Sequence, residues 1–227
     1  MDINTAINLL NLYKGKNLHE VAKLYNINEN NFFNLKTNKG WCGQTIEKIL
    51  GISQNSSREP DFEDFELKTI PVKFNSKGNL VFKETVAITM VNESDLVNNS
   101  FYESHLFKKI KKMLCITRFV GKNNLDPTYI HNTYSIILSK ELLIKLETDY
   151  NLIRKTFIDN LKDIKKLSSK LGYYIQPRTK GSKGSSTRAF YFKKTFLNDV
   201  MELNYCPIGE VIWIHYPYLD LLVVKLF

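Results

Sequence analysis

Between Pro60 and Val72 the chain reads PDFEDFELKTIPV, and no other string constrains its fold as strongly. From Phe65 onward apolar and polar residues alternate, which is the period of a strand with one face in a core. Successive side chains of a strand point to opposite faces, so Glu66 and Lys68 share one face while Leu67 turns into the core. Asp61 stands just upstream, where the chain turns into the strand, and can reach the Glu66–Lys68 face. The acids are flanked by apolar residues, which places this charged group at the edge of a core.

The surrounding segments complete an α/β architecture. Asn79–Met90 (NLVFKETVAITM) reads as the hairpin partner of Phe65–Val72, with Asn75-Ser-Lys-Gly78 as the turn. Met113–Phe119 and Tyr134–Leu138 read as buried strands. Helical spacing runs through Ala6–Tyr13, Leu18–Tyr25 (with Asn17 as its cap), Gly43–Leu50 and Glu103–Lys112. Lys140–Leu171 is the longest periodic stretch, one long helix or a broken pair. Pro177–Arg188 reads as a loop, Ala189–Phe196 as an extended segment followed by a short helix. The segment from Leu18 to Phe32 superficially resembles a helix-turn-helix, but a structural arm is the preferred reading. Cys206–Phe227 is strongly apolar, and three readings stay open for it: an added strand pair, a dimer contact, or the product of a truncated or shifted frame.

Composition narrows the partner. The 227 residues carry a net charge of +9, with 43% hydrophobic and 24% charged residues, an ordinary globular balance. A basic chain favours a polyanion, nucleic acid before an anionic membrane surface. No apolar run is long enough to span a bilayer, and the N-terminus lacks a secretion signal, so a cytoplasmic protein with no membrane partner is expected. Cys42, Cys115 and Cys206 never form a CxxC pair, which argues against structural zinc and a disulfide scaffold. His19, His105, His131 and His215 do not cluster, so no metal or general-base role is expected of them. Trp41 and the other aromatic residues are expected in the core.

Two carboxylates and a lysine on one face suit phosphodiester hydrolysis. Asp61 and Glu66 would hold a hard divalent cation through oxygen, leaving positions for water and phosphate. The cation would stabilise charge and acidify the attacking water, and Lys68 would orient that water or neutralise developing charge. Asp64 competes with Asp61 as the first ligand; Asp61 is preferred because Pro-Asp-Phe precedes the strand. From Arg178 to Lys194 there are six basic residues and no acid: Arg178, Lys180, Lys183, Arg188, Lys193 and Lys194. With glycines and hydroxyl side chains such as Thr179 among them, this segment could bind phosphates and read base edges. A second basic run, Lys108–Lys112, reads as a solvated helix face or a further contact.

Several ordered segments resemble the MutH family, the GATC-nicking endonucleases of DNA mismatch repair, and their type II restriction relatives. Lys39-Gly-Trp-Cys-Gly-Gln-Thr-Ile-Glu47 resembles a family helix, Glu66–Val72 a family strand, and Glu103–Leu114 a family segment with a serine and histidine. Tyr174–Lys180 follows the family pattern YxQxRxK, and Arg188–Phe196 is similar to RGFYLKKNF. The aspartate stands closer to the glutamate here than in the repair enzymes, a spacing similar to certain restriction relatives.

The resemblance implies a restriction-endonuclease-like mixed sheet flanked by helices, with two lobes around a DNA cleft. It implies Glu47 as an additional active-site carboxylate and metal ligand, Lys109 near the active site, Arg178 and Lys180 as readers, and Tyr191 beside the methylatable adenine. The expected organisation is a domain over residues 1–203, its catalytic lobe roughly 39–138 and recognition elements roughly 174–196, then an extension over 204–227. Mg²⁺ is the expected cofactor, with Mn²⁺ as a substitute, and duplex DNA the expected partner. A homodimer, or a mismatch-repair activator in the repair role, would complete the assembly. The spacing leans towards a type II restriction enzyme at GATC. The alternatives are a nicking repair enzyme and a DNA-binding protein without catalysis.

Overall fold

The computed structural model describes residues 1–27, 40–52, 59–121, 126–182, 184–203 and, as backbone, 211–216 and 219–224. Strand β1 (Glu66–Phe74) lies inside a four-stranded mixed sheet. Its companions are β2 (Leu80–Phe82), β4 (Lys112–Phe119) and β5 (Tyr129–Ile137), in the order β2-β1-β4-β5. β1 runs parallel to β4, with Glu66 opposite Met113 and Lys68 opposite Cys115. The β1–β2 and β4–β5 pairs are antiparallel.

The expected hairpin turn forms. The Asn75 side chain accepts from the backbone N–H of Lys77 and Asn79, and Gly78 supplies the positive φ of 78°. The expected partner strand, however, is split. The Lys83 N–H donates to the Pro71 carbonyl at 2.9 Å. Proline has no N–H to return that bond, so the ladder stops there. Val86–Met90 becomes β3 of a second, antiparallel sheet of order β3-β7-β6, with β6 (Ile175–Thr179) and β7 (Arg188–Phe192). Pro177–Thr179, expected in a loop, thus belong to a strand.

The two faces of the mixed sheet bury separate apolar groups. Odd-numbered residues Phe65 and Leu67, with Leu114, Ile116 and Ile130, pack against helices α1 (Ile3–Asn11), α2 (Leu18–Leu24) and α3 (Trp41–Ile49). Asn17 caps α2 by accepting from the His19 N–H, as expected. Leu18, Val21 and Ala22 are buried in this core, the placement that the structural-arm reading expects of α2; residues 28–32 of the same segment lie outside the described residues. Even-numbered Ile70 and Val72 face the other core, shared with Met113, Tyr150, Phe157, Tyr174, Phe190 and Phe192. Helices α4 (Glu93–Asn98), α5 (His105–Ile110), α6 (Lys140–Asp159) and α7 (Lys194–Val200) lie on this side. Truncating a side chain as enclosed as Phe157 would cost about 3–5 kcal/mol.

The long periodic stretch resolves into one helix and a turn. α6 ends at Asp159, and Leu161 and Lys162 take φ values of 56° and 59°, which no α-helix continues. A 3₁₀ turn, Ile164–Lys166, follows. The apolar tail forms a strand pair, β8 (Val211–Tyr216) with β9 (Leu219–Val224), in antiparallel register. No helix among the described residues is long and apolar enough to cross a membrane.

Candidate active site

The entrance of β1 gathers four of the five expected catalytic side chains. The turn before it closes on itself: the Phe62 N–H donates to the Phe65 carbonyl, and the two rings stack at 4.3 Å. This brings Asp61 alongside the strand. Its carboxylate accepts from the Leu67 N–H at 3.0 Å, and its own N–H donates to Glu66 Oε2 at 3.2 Å. Asp64 instead pairs with Lys112 on the surface. The tight turn also accounts for the short Asp61–Glu66 spacing.

Glu66 is buried, with 2% of its side chain exposed, and holds two ammonium groups. Lys68 Nζ lies 2.5 Å from Oε1, and Lys109 Nζ lies 2.9 Å from Oε2. Lys109 comes from α5 and also donates to the Glu59 carbonyl at 2.5 Å. A buried carboxylate needs such partners, because taking an unpaired charge out of water costs several kcal/mol. Glu47 approaches from α3, on the other side of the sheet. Burial pushes its carboxyl above the ordinary glutamate value, the Asp61 charge pushes further, Lys68 opposes, and Glu66 adds a smaller push.

That mutual repulsion is what a cation would relieve. Among the described residues no group of three His, Cys, Asp or Glu side chains is arranged to hold a metal ion. The Asp61 N–H bond to Glu66 Oε2 nevertheless keeps these two carboxylate residues side by side. Mg²⁺ fits such a pair, since it takes one or two protein carboxylates and keeps waters or phosphate oxygens elsewhere. Softer metals have no ligands here. Burial pushes the Cys42 and Cys115 thiols up to about 12, which makes both inert at neutral pH. Cys206 lies outside the described residues.

The basic segment divides in two. Arg178, Thr179, Lys180 and Lys194 are exposed. Arg178 donates to the Thr85 hydroxyl and lies over the Tyr191 ring, 5.2 Å from its centroid. Lys183 falls outside the described residues. Arg188 does not point to solvent, contrary to expectation. It is buried, and its guanidinium donates to the carbonyls of Leu167, Lys165, Ser186 and Thr187. Arg188 is corrected from a DNA contact to an internal tie, because its guanidinium is buried and committed to backbone carbonyls. Lys193 is half-buried and gives one of its ammonium donors to the Gly172 carbonyl at 2.6 Å.

Sequence reasoning missed Asp149. Its carboxylate accepts from the backbone N–H groups of Tyr173, Tyr174 and Ile175 at 2.6–2.8 Å, fixing the start of β6 against α6. The signal was an acid standing on the apolar stripe of α6, between Leu146 and Ile153.

A family model described as DNA mismatch repair enzyme MutH matches residues 50–149, a span that includes Asp61, Glu66, Lys68 and Lys109. The chain is 32% identical over 188 residues to the DNA mismatch repair protein MutH of Shewanella woodyi, covering 74% of this chain and 78% of that protein. It is 28% identical over 211 residues to the protein of the same name from Actinobacillus pleuropneumoniae serotype 3, covering 85% and 89%. The corresponding protein of Escherichia coli O6:K15:H31 is 29% identical over 195 residues, covering 76% and 80%.

Proposed function

The chain belongs to the MutH family of DNA mismatch repair enzymes, and on that premise we propose that it is a Mg²⁺-dependent endonuclease that nicks duplex DNA, with GATC as its site. The observation that carries the chemistry is the convergence of Asp61, Glu66, Lys68 and Lys109 at the entrance of β1. Asp61 and Glu66 would hold the cation, with Glu47 as a further carboxylate beside them. When bound, Mg²⁺ supplies charge stabilisation at the phosphate and a more acidic water. Lys68 contributes a positive charge next to the phosphate and an N–H donor for a nonbridging oxygen or for the attacking water. Lys109 holds Glu66 in place. Cleavage would leave a 5′-phosphate and a 3′-hydroxyl.

Arg178 and Lys180 are the proposed readers, and Tyr191 the proposed neighbour of the adenine. The names of the relatives favour the nicking repair role over the type II restriction role towards which the spacing leans. In the repair role a mismatch-activated partner would switch the enzyme on. Incubation with unmethylated, hemimethylated and fully methylated plasmid tests the reading. Nicked circles with Mg²⁺ or Mn²⁺, blocked by full adenine methylation, are expected. Linear product without accumulation of nicked circles would instead establish restriction through a dimer. Binding without cleavage in either metal would leave a DNA-binding protein only.

A further inference from the structure

Arg188 joins two stretches of chain that lie far apart in sequence. Its Nε donates to the Leu167 carbonyl at 3.0 Å and its Nη2 to the Lys165 carbonyl at 3.2 Å. Its Nη1 donates to the Ser186 and Thr187 carbonyls at 3.2 and 3.3 Å. The Thr187 carbonyl also accepts from the Lys180 N–H at 3.1 Å. The segment around Lys165 is therefore fixed against the base of the loop that carries Lys180.

That segment is basic and open. Lys162, Lys165, Lys166 and Lys170 are all exposed. Its one acid, Asp163, turns its carboxylate onto the Lys165 N–H at 2.9 Å and so shapes the 3₁₀ turn. On α6 two of the three exposed lysines are paired, Lys145 with Glu141 and Lys155 with Asp159. No salt bridge among the described residues engages the four lysines of the turn. A merely solvated loop needs no buried guanidinium to hold it. A cluster of exposed lysines without salt bridges, on backbone tied to the base of the Lys180 loop, suits a polyanion.

We infer that Lys162–Lys170 is a second DNA-contact platform, which grips the phosphate backbone next to the bases read from β6 and the loop after it. The inference rests on the endonuclease reading of the β1 site. Phosphate contacts hold register and orientation but carry no sequence information. The platform therefore strengthens binding to cognate and noncognate duplex alike.

The test is the double substitution Lys165→Gln/Lys166→Gln, with duplexes that contain or lack GATC, titrated in Ca²⁺ over a salt series. The log–log salt slope should become shallower by about 0.9 for each phosphate no longer neutralised, roughly 1.8 for the pair. Affinity for both duplexes should fall by the same factor. A variant slope that superimposes on the wild-type slope overturns the platform while leaving the endonuclease reading intact. A weakening confined to the GATC duplex also overturns it, because base reading would then be the role. Absence of DNA binding by the wild-type protein overturns both.

Discussion

Positive charge is used in opposite ways at the two candidate functional regions. At the entrance of β1, Lys68 and Lys109 are drawn in against one buried carboxylate, so each cation is partnered by an anion. In the β6–β7 region, Arg188 and Lys193 are also drawn in, but against backbone carbonyls, with no acid at all. The first arrangement concentrates opposing charges that a ligand can rearrange. The second builds a fixed frame and leaves Arg178, Lys180 and Lys194 facing outward. A run of basic residues therefore overstates the number that can meet DNA. Position relative to the backbone decides which ones do.

The sharpest way to break this comparison is to remove single charges at each end. Glu66→Ala and Lys68→Ala should reduce cleavage by about a thousandfold or more, with duplex binding largely kept. Asp61→Ala should do the same. Asp64→Ala should cleave normally, because that carboxylate only pairs with Lys112 on the surface. An inactive Asp64→Ala beside an active Asp61→Ala would reverse the ligand assignment. Plasmid cleavage and gel-shift binding in Ca²⁺ read both properties.

At the other region the large effect falls on stability instead. Arg188→Met should lower unfolding free energy on the order of 2–4 kcal/mol, because several carbonyls are deprived of a charged donor. Asp149→Asn should act similarly, since three backbone N–H groups converge on its carboxylate. Arg178→Ala should leave stability unchanged and cost about 1–3 kcal/mol of discrimination at one base pair. Denaturant unfolding and competition binding separate the two classes. If Arg188→Met melts like the wild type but discriminates poorly between sequences, the division between frame and readers fails.

The catalytic edge is legible in the sequence because its signal is local. Alternation puts Glu66 and Lys68 on one face, and the nearby Asp61 needs only a turn to join them. Lys109 is reachable only through family resemblance, because its contact with Glu66 spans 43 residues and nothing in Lys108–Lys112 marks one lysine from the next. The split of Asn79–Met90 has a readable cause, the missing N–H of Pro71, but its consequence depends on a second sheet built from strands a hundred residues later. The roles of Arg188 and Lys193 depend on where the Lys165–Leu167 and Gly172 carbonyls end up. Composition contains no trace of that, and counting charges assigns both to DNA.

The smallest effect expected is also the one that probes the catalytic edge without any DNA. In the metal-free protein, burial and the Asp61 charge raise the Glu47 carboxyl above its ordinary value of 4.5. A raised carboxyl binds its proton more tightly folded than unfolded. Its contribution to stability is therefore fully present below pH 4.5 and is lost as pH rises through the folded value. Glu47→Gln removes that loss, so above this window the variant should be more stable than the wild type, and below it the two should coincide. Glu47 is only partly buried, so solvent screens the effect, and a melting difference of about 1–2 °C is expected. Mg²⁺ should stabilise the wild type and do so less for Glu47→Gln, because one of the repelling carboxylates is gone. Thermal melts at several pH values, with and without Mg²⁺, measure both. A variant less stable than the wild type at pH 8 without metal would mean that Glu47 is held by attraction rather than repulsion. The contrast between a charge-strained edge at β1 and a frame held by backbone carbonyls would then collapse.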